Sequence, residues 1–410
     1  AIVMAEQSYD LTHSESGITP TAIRNRSSMW LLTIVQRKDL SIVEMHYKPT
    51  PQMEFMGGGS RERPSYGDYL NLEGLLSLQG DENISADEMH FMVVHQTFEL
   101  WFKQVIRELA ESRDTLSSKQ VAEEMIPSVV HRLGRVTEIF RLMAQQWTVM
   151  ETLSPQDFLV FRDGLGSASG FESYQMRELE ILIGLSNEQR TSGMDPLARF
   201  RKMAQESENG AKALKRLESR MNEDSLWDTA RAWLNRTPIM GSSPEDDGDD
   251  EVVRAYVENH ISAQVKHGEQ MAARMSKWGM GDSEAMKARF ASIAQGARDF
   301  LMPAGEIDRS RAGLLFIESY RDLPLLSWPR TLIDRMIELE EAMVKWRHSH
   351  ARMVERIIGR RIGTGGSSGV DYLDATTSYR VFTDLWSVRT ILIRSDLRPE
   401  LINPEFYGFA

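Results

Sequence analysis

From residue 66 to the end of the chain, apolar residues recur at helical spacing with few interruptions. The segment 87–104, DEMHFMVVHQTFELWFKQ, has apolar residues on more than one helical face, which predicts a buried, central helix. Ser85 and Glu88 have capping-box spacing at its start. The sequence therefore predicts an all-α helical bundle. Further helices are predicted at 117–150, 155–165, 171–185, 195–220, 224–235, 251–277, 282–300 and 328–361.

The first 63 residues have a different pattern. The segment 30–47, WLLTIVQRKDLSIVEMHY, partly alternates and is rich in β-branched residues, as in a short hairpin. Pro49, Pro51 and the segment 57–64, GGGSRERP, then indicate a flexible link. We therefore predict an N-terminal extension at 1–63 and one helical domain at 64–410. Within that domain, the acidic stretch 241–251 lacks the spacing of a calcium loop and predicts a solvated loop between helices.

Composition excludes several classes of function. The net charge of -12 argues against a nucleic-acid or anionic membrane partner, since either requires a basic surface. With no cysteine, the chain cannot form disulfides, iron–sulfur clusters, thiolate-ligated haem or cysteine zinc sites. No apolar run approaches the length of a membrane span, and the first residues lack the pattern of a signal peptide. We therefore expect a cytoplasmic protein.

Two histidines lie on separate predicted helices, each on an apolar face: His95 and His350. An isolated histidine of this kind can be a core residue or a metal ligand. Carboxylate-bridged di-iron and H-E-x-x-H zinc patterns are absent, and His348 faces a different direction from His350. One helical imidazole with an open face opposite it is the arrangement of a five-coordinate haem. The pattern therefore points towards a haem pocket.

Two further features could bind a small molecule. Arg162 lies four residues after Phe158, and an arginine beside aromatic residues can bind a carboxylate through its planar fork. An ordinary ion pair is the alternative. The glycine-rich segment 363–369, GTGGSSG, lacks the lysine of a P-loop and follows a helix. It is either a helix stop with a flexible connector or a mobile loop that closes over a ligand.

Four segments together resemble the tryptophan 2,3-dioxygenase family, and the resemblance runs in colinear order over about residues 64–405. They are YGDYLNLEGLLSLQ (66–79), DEMHFMVVHQTFELWFKQ (87–104), FRDGLGSASGFESYQMRELE (161–180) and WRHSHARMVERIIGRRIGTGGSSG (346–369). The resemblance implies an all-helical oxygenase with non-covalently bound haem b and O2 as co-substrate. It also implies a homo-oligomer, a tetramer or a dimer, in which the N-terminal segment completes a neighbour's active site.

The same resemblance implies roles for individual residues. His350 is similar to the axial ligand of the haem iron, and His95 to the histidine that meets the indole N–H. Arg162 matches the arginine that holds the substrate carboxylate, and Thr364 the threonine near the ammonium and carboxylate groups. The aromatic lining of the pocket is matched by Tyr66, Tyr69, Phe91 and Phe158.

After the glycine-rich segment the chain departs from the family pattern. It is two residues shorter there, with Val370 and Asp374 where tyrosine and arginine are usual. We expect O2 insertion at indole C2–C3 of L-tryptophan or a closely related indole amino acid, giving an N-formylkynurenine-type product. The alternative is a haem-dependent monooxygenase that hydroxylates a modified tryptophan or another aromatic amino acid in natural-product biosynthesis.

Two non-enzymatic hypotheses also stand: a haem or aromatic-ligand sensor, and a helical scaffold without haem. The presence of both His95 and Arg162 argues against a sensor, because a sensor does not need a complete substrate clamp.

Overall fold

The computed structural model describes residues 64–80, 84–166, 170–190, 195–279, 282–361 and 369–408. The predicted extension at 1–63, with its hairpin, and Thr364 lie outside the described residues. Within them the all-α prediction is confirmed: there is no strand, and the one β-type pairing is a bridge between Ile239 and Ser242. None of the described helices combines the length and hydropathy that a bilayer crossing requires.

The described residues contain fifteen α-helices. The first nine are α1 (Tyr66–Leu70), α2 (Leu72–Leu76), α3 (Ala86–Leu116), α4 (Ile126–Met150), α5 (Pro155–Arg162), α6 (Tyr174–Ile183), α7 (Ala198–Glu206), α8 (Glu208–Met221) and α9 (Leu226–Asn235). The remaining six are α10 (Asp249–Lys277), α11 (Ser283–Leu301), α12 (Arg309–Ser319), α13 (Ser327–Ile358), α14 (Gly369–Thr376) and α15 (Thr383–Ile391).

Helix α3 begins where the sequence predicts: the side chain of Ser85 accepts a hydrogen bond from the backbone N–H of Glu88 at 3.1 Å. The helix packs against α4, and α4 packs along α13. An aromatic cluster joins the three, with Phe98 of α3 stacked 4.1 Å from Trp147 of α4, and Phe102 edge-on to Trp346 of α13 at 5.8 Å. Buried residues of these three helices belong to one hydrophobic cluster, which positions the site.

Two predicted helix boundaries are wrong. The helix predicted at 195–220 is two helices, because Ser207 adopts an extended conformation and caps α8 through the backbone N–H of Gly210. Gly210 packs against α7 so closely that a Cβ would lie 2.2 Å from the carbonyl oxygen of Met203. The helix predicted from 117 begins at Ile126, where Pro127 occupies the first turn.

The acidic stretch 241–251 is a loop only as far as Gly248, and its last three residues begin α10. Asp249 is buried there and receives two hydrogen bonds from Arg309, at 2.7 and 2.9 Å. The rest of the stretch is largely exposed, as predicted.

Candidate active site

A cavity opens between α3, α5, α6, α13 and α14, and its non-atom space, open mouth included, is about 1390 Å³. Much of its wall is apolar, as in sites for cofactors and small molecules. The apolar residues that line it include Phe91, Met150, Leu165, Met353, Val354 and Ile357.

His350 of α13 lines this cavity. Its imidazole stacks on the indole of Trp147, with ring centres 4.4 Å apart and planes inclined by 4°. Desolvation, with the neighbouring His95 and Arg347, lowers the pKa of His350 to about 3, so the ring is neutral. No described residue forms a hydrogen bond with it. A neutral imidazole without a protein partner is available to bind a metal ion. His348, by contrast, is exposed and is not part of the wall.

His95 of α3 lines the same cavity. Its Nδ1 lies 2.8 Å from the carbonyl oxygen of Phe91. Because a carbonyl can only accept, Nδ1 carries the proton of the neutral ring and Nε2 is left as an acceptor. Burial lowers the pKa of His95, although the Phe91 carbonyl and the charge of Glu99 oppose this shift. His95 can therefore accept a hydrogen bond from a ligand N–H.

Beside His95 lies a cluster of three phenylalanines. The ring of Phe91 is 5.8 Å from that of Phe158 and 5.6 Å from that of Phe161, and the last two meet edge-on at 5.4 Å. Arg162, in the last turn of α5, lines the cavity with Phe91 and Phe158. The structure thus brings five of the predicted site residues to one cavity: His95, His350, Arg162, Phe91 and Phe158.

Tyr66 and Tyr69 do not line this cavity in the single chain. Both are in the short helix α1 and both are 76% exposed. Helix α14, which follows the glycine-rich segment, does contribute to the wall through Gly369, Tyr372, Leu373 and Thr376. The unusual Val370 is buried and does not line the cavity.

A buried group of charges in the wall was not predicted from the sequence. Glu180 of α6 accepts hydrogen bonds from Arg177 at 2.6 Å, Arg190 at 2.7 Å and Arg347 at 2.8 Å. All four side chains are buried. Burial alone would raise the pKa of Glu180, but the three arginines hold it well below its ordinary value. The only local signal is the three-residue spacing of Arg177 and Glu180.

The donor set of the cavity fits haem better than a metal bound by protein alone. Among the described residues, no three histidine, aspartate or glutamate side chains converge on one point. What the cavity offers is the neutral imidazole of His350, which has no hydrogen-bonding partner among the described residues, together with an apolar wall and buried arginines. These match an iron with one protein ligand, a flat apolar macrocycle and its acidic edge groups.

The described fold is all-α, and its cavity combines an apolar wall with histidine and arginine side chains. The chain belongs to the tryptophan 2,3-dioxygenase family, whose model matches residues 52–392. It is 42% identical to tryptophan 2,3-dioxygenase of Sorangium cellulosum, over 84% of this chain and 87% of the relative. It is also 42% identical to tryptophan 2,3-dioxygenase 2 of Ralstonia nicotianae, over 84% and 98%. The enzyme of Dictyostelium discoideum is 33% identical, over 82% and 85%. The resemblance seen in the sequence is confirmed.

Proposed function

We propose that this protein is a haem-dependent oxygenase that inserts O2 at indole C2–C3 of L-tryptophan or a closely related indole amino acid. The product would be of the N-formylkynurenine type. The observation that carries the proposal is the neutral imidazole of His350, which lines the cavity without a hydrogen-bonding partner among the described residues. The names of the relatives support tryptophan as the substrate.

In this proposal His350 would hold the iron of a non-covalently bound haem b. When bound, the haem would supply the redox chemistry of the reaction with O2. The stacked indole of Trp147 fixes the plane of the His350 ring. The apolar side chains of α13, Met353, Val354 and Ile357, lie along the same wall and would contact the macrocycle and exclude water.

The substrate is held at two ends. Nε2 of His95 accepts the indole N–H, because Nδ1 is already committed to the carbonyl of Phe91. Phe91 and Phe158 contact the indole ring, and the guanidinium of Arg162 pairs with the carboxylate. From the family resemblance, Thr364 adds a hydroxyl near the ammonium and carboxylate groups. Together these contacts orient the C2–C3 bond for reaction.

We also propose a homo-oligomer, a tetramer or a dimer, in which Tyr66 and Tyr69 line the cavity of a neighbouring subunit. Both tyrosines are 76% exposed on a five-residue helix. Exposed aromatic side chains next to one another are typical of a surface that contacts another chain. The exposed leucines of the adjacent α2 and its following turn, Leu75, Leu76 and Leu78, extend this apolar surface.

One feature favours a monooxygenase as the second candidate. In α14, Asp374 pairs with Arg352 of α13, and Asp371 pairs with Arg360 just after the end of α13, so acidic residues anchor this helix. Because α14 lines the cavity, a different anchoring can change which substrate fits and whether an intermediate escapes after one oxygen atom is transferred.

The test is to supply 18O2 to the ferrous, haem-loaded, full-length protein with L-tryptophan or its ring-methylated analogues, and to measure product mass. Dioxygenation gives a product with two labelled atoms that absorbs as a formylkynurenine. One labelled atom, incorporated only when a reductant is added, would make the protein a monooxygenase. Haem binding with no product from any indole amino acid would favour a sensor.

A further inference from the structure

The charged side chains of the cavity wall do not balance. Arg162, Arg177 and Arg347 line the cavity, and Glu180 is the one carboxylate among the residues that line it. The buried cluster around Glu180 contains Arg177, Arg190 and Arg347, so three guanidinium groups against one carboxylate leave it with two net positive charges. An anionic ligand would neutralise them.

Glu180 cannot provide this neutralisation itself, because three arginines share it. Its Oε1 accepts from Arg347, and its Oε2 accepts from both Arg177 and Arg190. The exposed fractions of the three arginines are only 8%, 4% and 7% for Arg177, Arg190 and Arg347. Uncompensated charge of this kind is costly to bury. Burying this cluster is therefore costly in free energy unless an anionic ligand neutralises its remaining positive charge.

Arg177 and Arg347 both keep N–H groups that bond to no other described residue and can bind such a ligand. Arg347 donates to Glu180 through Nη2, and this is its one hydrogen bond to the described residues. Arg177 donates to Glu180 through Nη1 and also bonds the hydroxyl of Tyr372. Glu180 therefore holds the two guanidinium groups side by side in the wall, with part of each fork unused.

The position of this pair relative to His350 identifies the ligand. Arg347 and His350 are three residues apart on α13, so they share one helix face one turn apart. A ligand held by His350 would therefore lie within reach of Arg347. The two carboxylates of haem b lie together on one edge of a macrocycle that is otherwise apolar, as the cavity wall is.

We infer that Arg177 and Arg347, held together by Glu180, form the subsite that binds the propionate carboxylates of the haem. The inference rests on the proposed haem-dependent function. It gives Arg162 and the Arg177–Arg347 pair separate ligands: the carboxylate of the amino acid and the carboxylates of the cofactor. Glu180 and Arg190 are positioning residues in this arrangement.

The first experiment compares haem b with its dimethyl ester, in which both carboxylates are masked, on the full-length protein freed of haem. Dissociation constants are measured from the Soret absorption. We expect the ester to bind at least tenfold more weakly, because it forfeits charge-assisted hydrogen bonds. Equal affinities, in a protein that oxidises tryptophan when loaded with haem b, would overturn the subsite and leave the proposed function intact. A protein that binds neither compound would overturn both.

A variant locates the effect. Arg347→Met still leaves Glu180 with two arginine partners, so the wall keeps its paired carboxylate. We expect it to weaken haem b binding about tenfold and to leave ester binding unchanged. Arg335→Met is the matched control, since Arg335 is on the same helix but pairs with Glu338 at the surface. It should change neither affinity.

Two results of the variant experiment would contradict the subsite. One is a preference for haem b over the ester that persists undiminished in Arg347→Met. The other is a variant that binds haem b normally but binds L-tryptophan more weakly when saturated with haem, which would make the cluster a substrate subsite.

Discussion

Two histidines in long helices, the buried His260 of α10 and the half-buried His350 of α13, show what separates a core residue from a site residue. Burial lowers the pKa of both. His260 is fully buried, and its Nε2 donates to the carbonyl oxygen of Ile391 at 3.0 Å. His350 instead has an aromatic ring against its face and a cavity beside it. Burial alone therefore does not mark a site; a missing protein partner beside a cavity does.

The charged groups of the two regions differ in the same way. At the start of α10, Asp249 faces a single arginine, Arg309, which also donates to the carbonyl oxygens of Thr237 and Ser242. The charges of Asp249 and Arg309 balance, and the guanidinium N–H groups of Arg309 have acceptors in the protein. In the cavity wall, three arginines share Glu180. The Asp249–Arg309 pair holds segments of the chain together. In the inference above, the remaining positive charge of the Glu180 cluster is neutralised by a ligand.

The largest effect on stability is expected at His260. His260→Ala removes a buried ring and leaves the carbonyl of Ile391 without its donor, which should cost about 2–4 kcal/mol of unfolding free energy. Haem content should be unchanged. Urea unfolding and the Soret absorption measure the two quantities, with the exposed His348→Ala as the control. A variant that lost haem while keeping its stability would break the comparison.

A smaller effect is expected for Arg162→Lys, which retains the charge but loses the planar fork. A hydrogen bond to a charged group is worth about 1.5–3 kcal/mol, so the variant should bind L-tryptophan clearly more weakly with haem content unchanged. Titration of the haem spectrum with substrate gives the affinity. If the parent protein bound tryptophan and tryptamine equally well, Arg162 would not pair with the carboxylate.

The pH dependence of stability gives the smallest effect. The pKa of His260 is lower in the folded protein than its unfolded value of about 6.5, so its contribution to stability is present above that pH and is lost as the pH falls below it. One such group contributes a slope of at most about 1.4 kcal/mol per pH unit. His260→Gln should therefore show a shallower loss of stability between about pH 6.5 and pH 5 than the parent. Parallel curves would mean that His260 titrates normally.

Local patterns predicted much of the helical framework, and the exceptions have physical causes. The cap at Ser85 and the central helix that follows it are visible in the sequence because both depend on nearby residues. Helix α12 was not predicted, since residues 312–318 are buried on every face and show no amphipathic period. Gly313 fits closely there: a Cβ would lie 2.4 Å from the carbonyl oxygen of Leu234. Such contacts between distant segments leave no local pattern.

The site residues show the same difference between contacts of nearby residues and contacts of distant segments. His95 with Phe91, and Phe158 with Arg162, were predicted as pairs four residues apart on one helix, and the structure brings both pairs to the cavity. The Glu180 cluster was not predicted, because Glu180 and Arg347 are 167 residues apart. The neutral state of His350 also depends on three-dimensional surroundings, namely Trp147 and the cavity.

The central claim is that His350, and not His260, binds the haem iron. Resonance Raman spectroscopy of the ferrous, haem-loaded protein tests it directly, because the iron–imidazole stretching band reports the axial ligand. We expect the band in the parent, in His260→Ala and in His348→Ala. It should be absent in His350→Gly and return when imidazole is added, because the vacated space lies in the cavity wall. A band that persists in His350→Gly without added imidazole, or that disappears in folded His260→Ala or His348→Ala, would contradict the account.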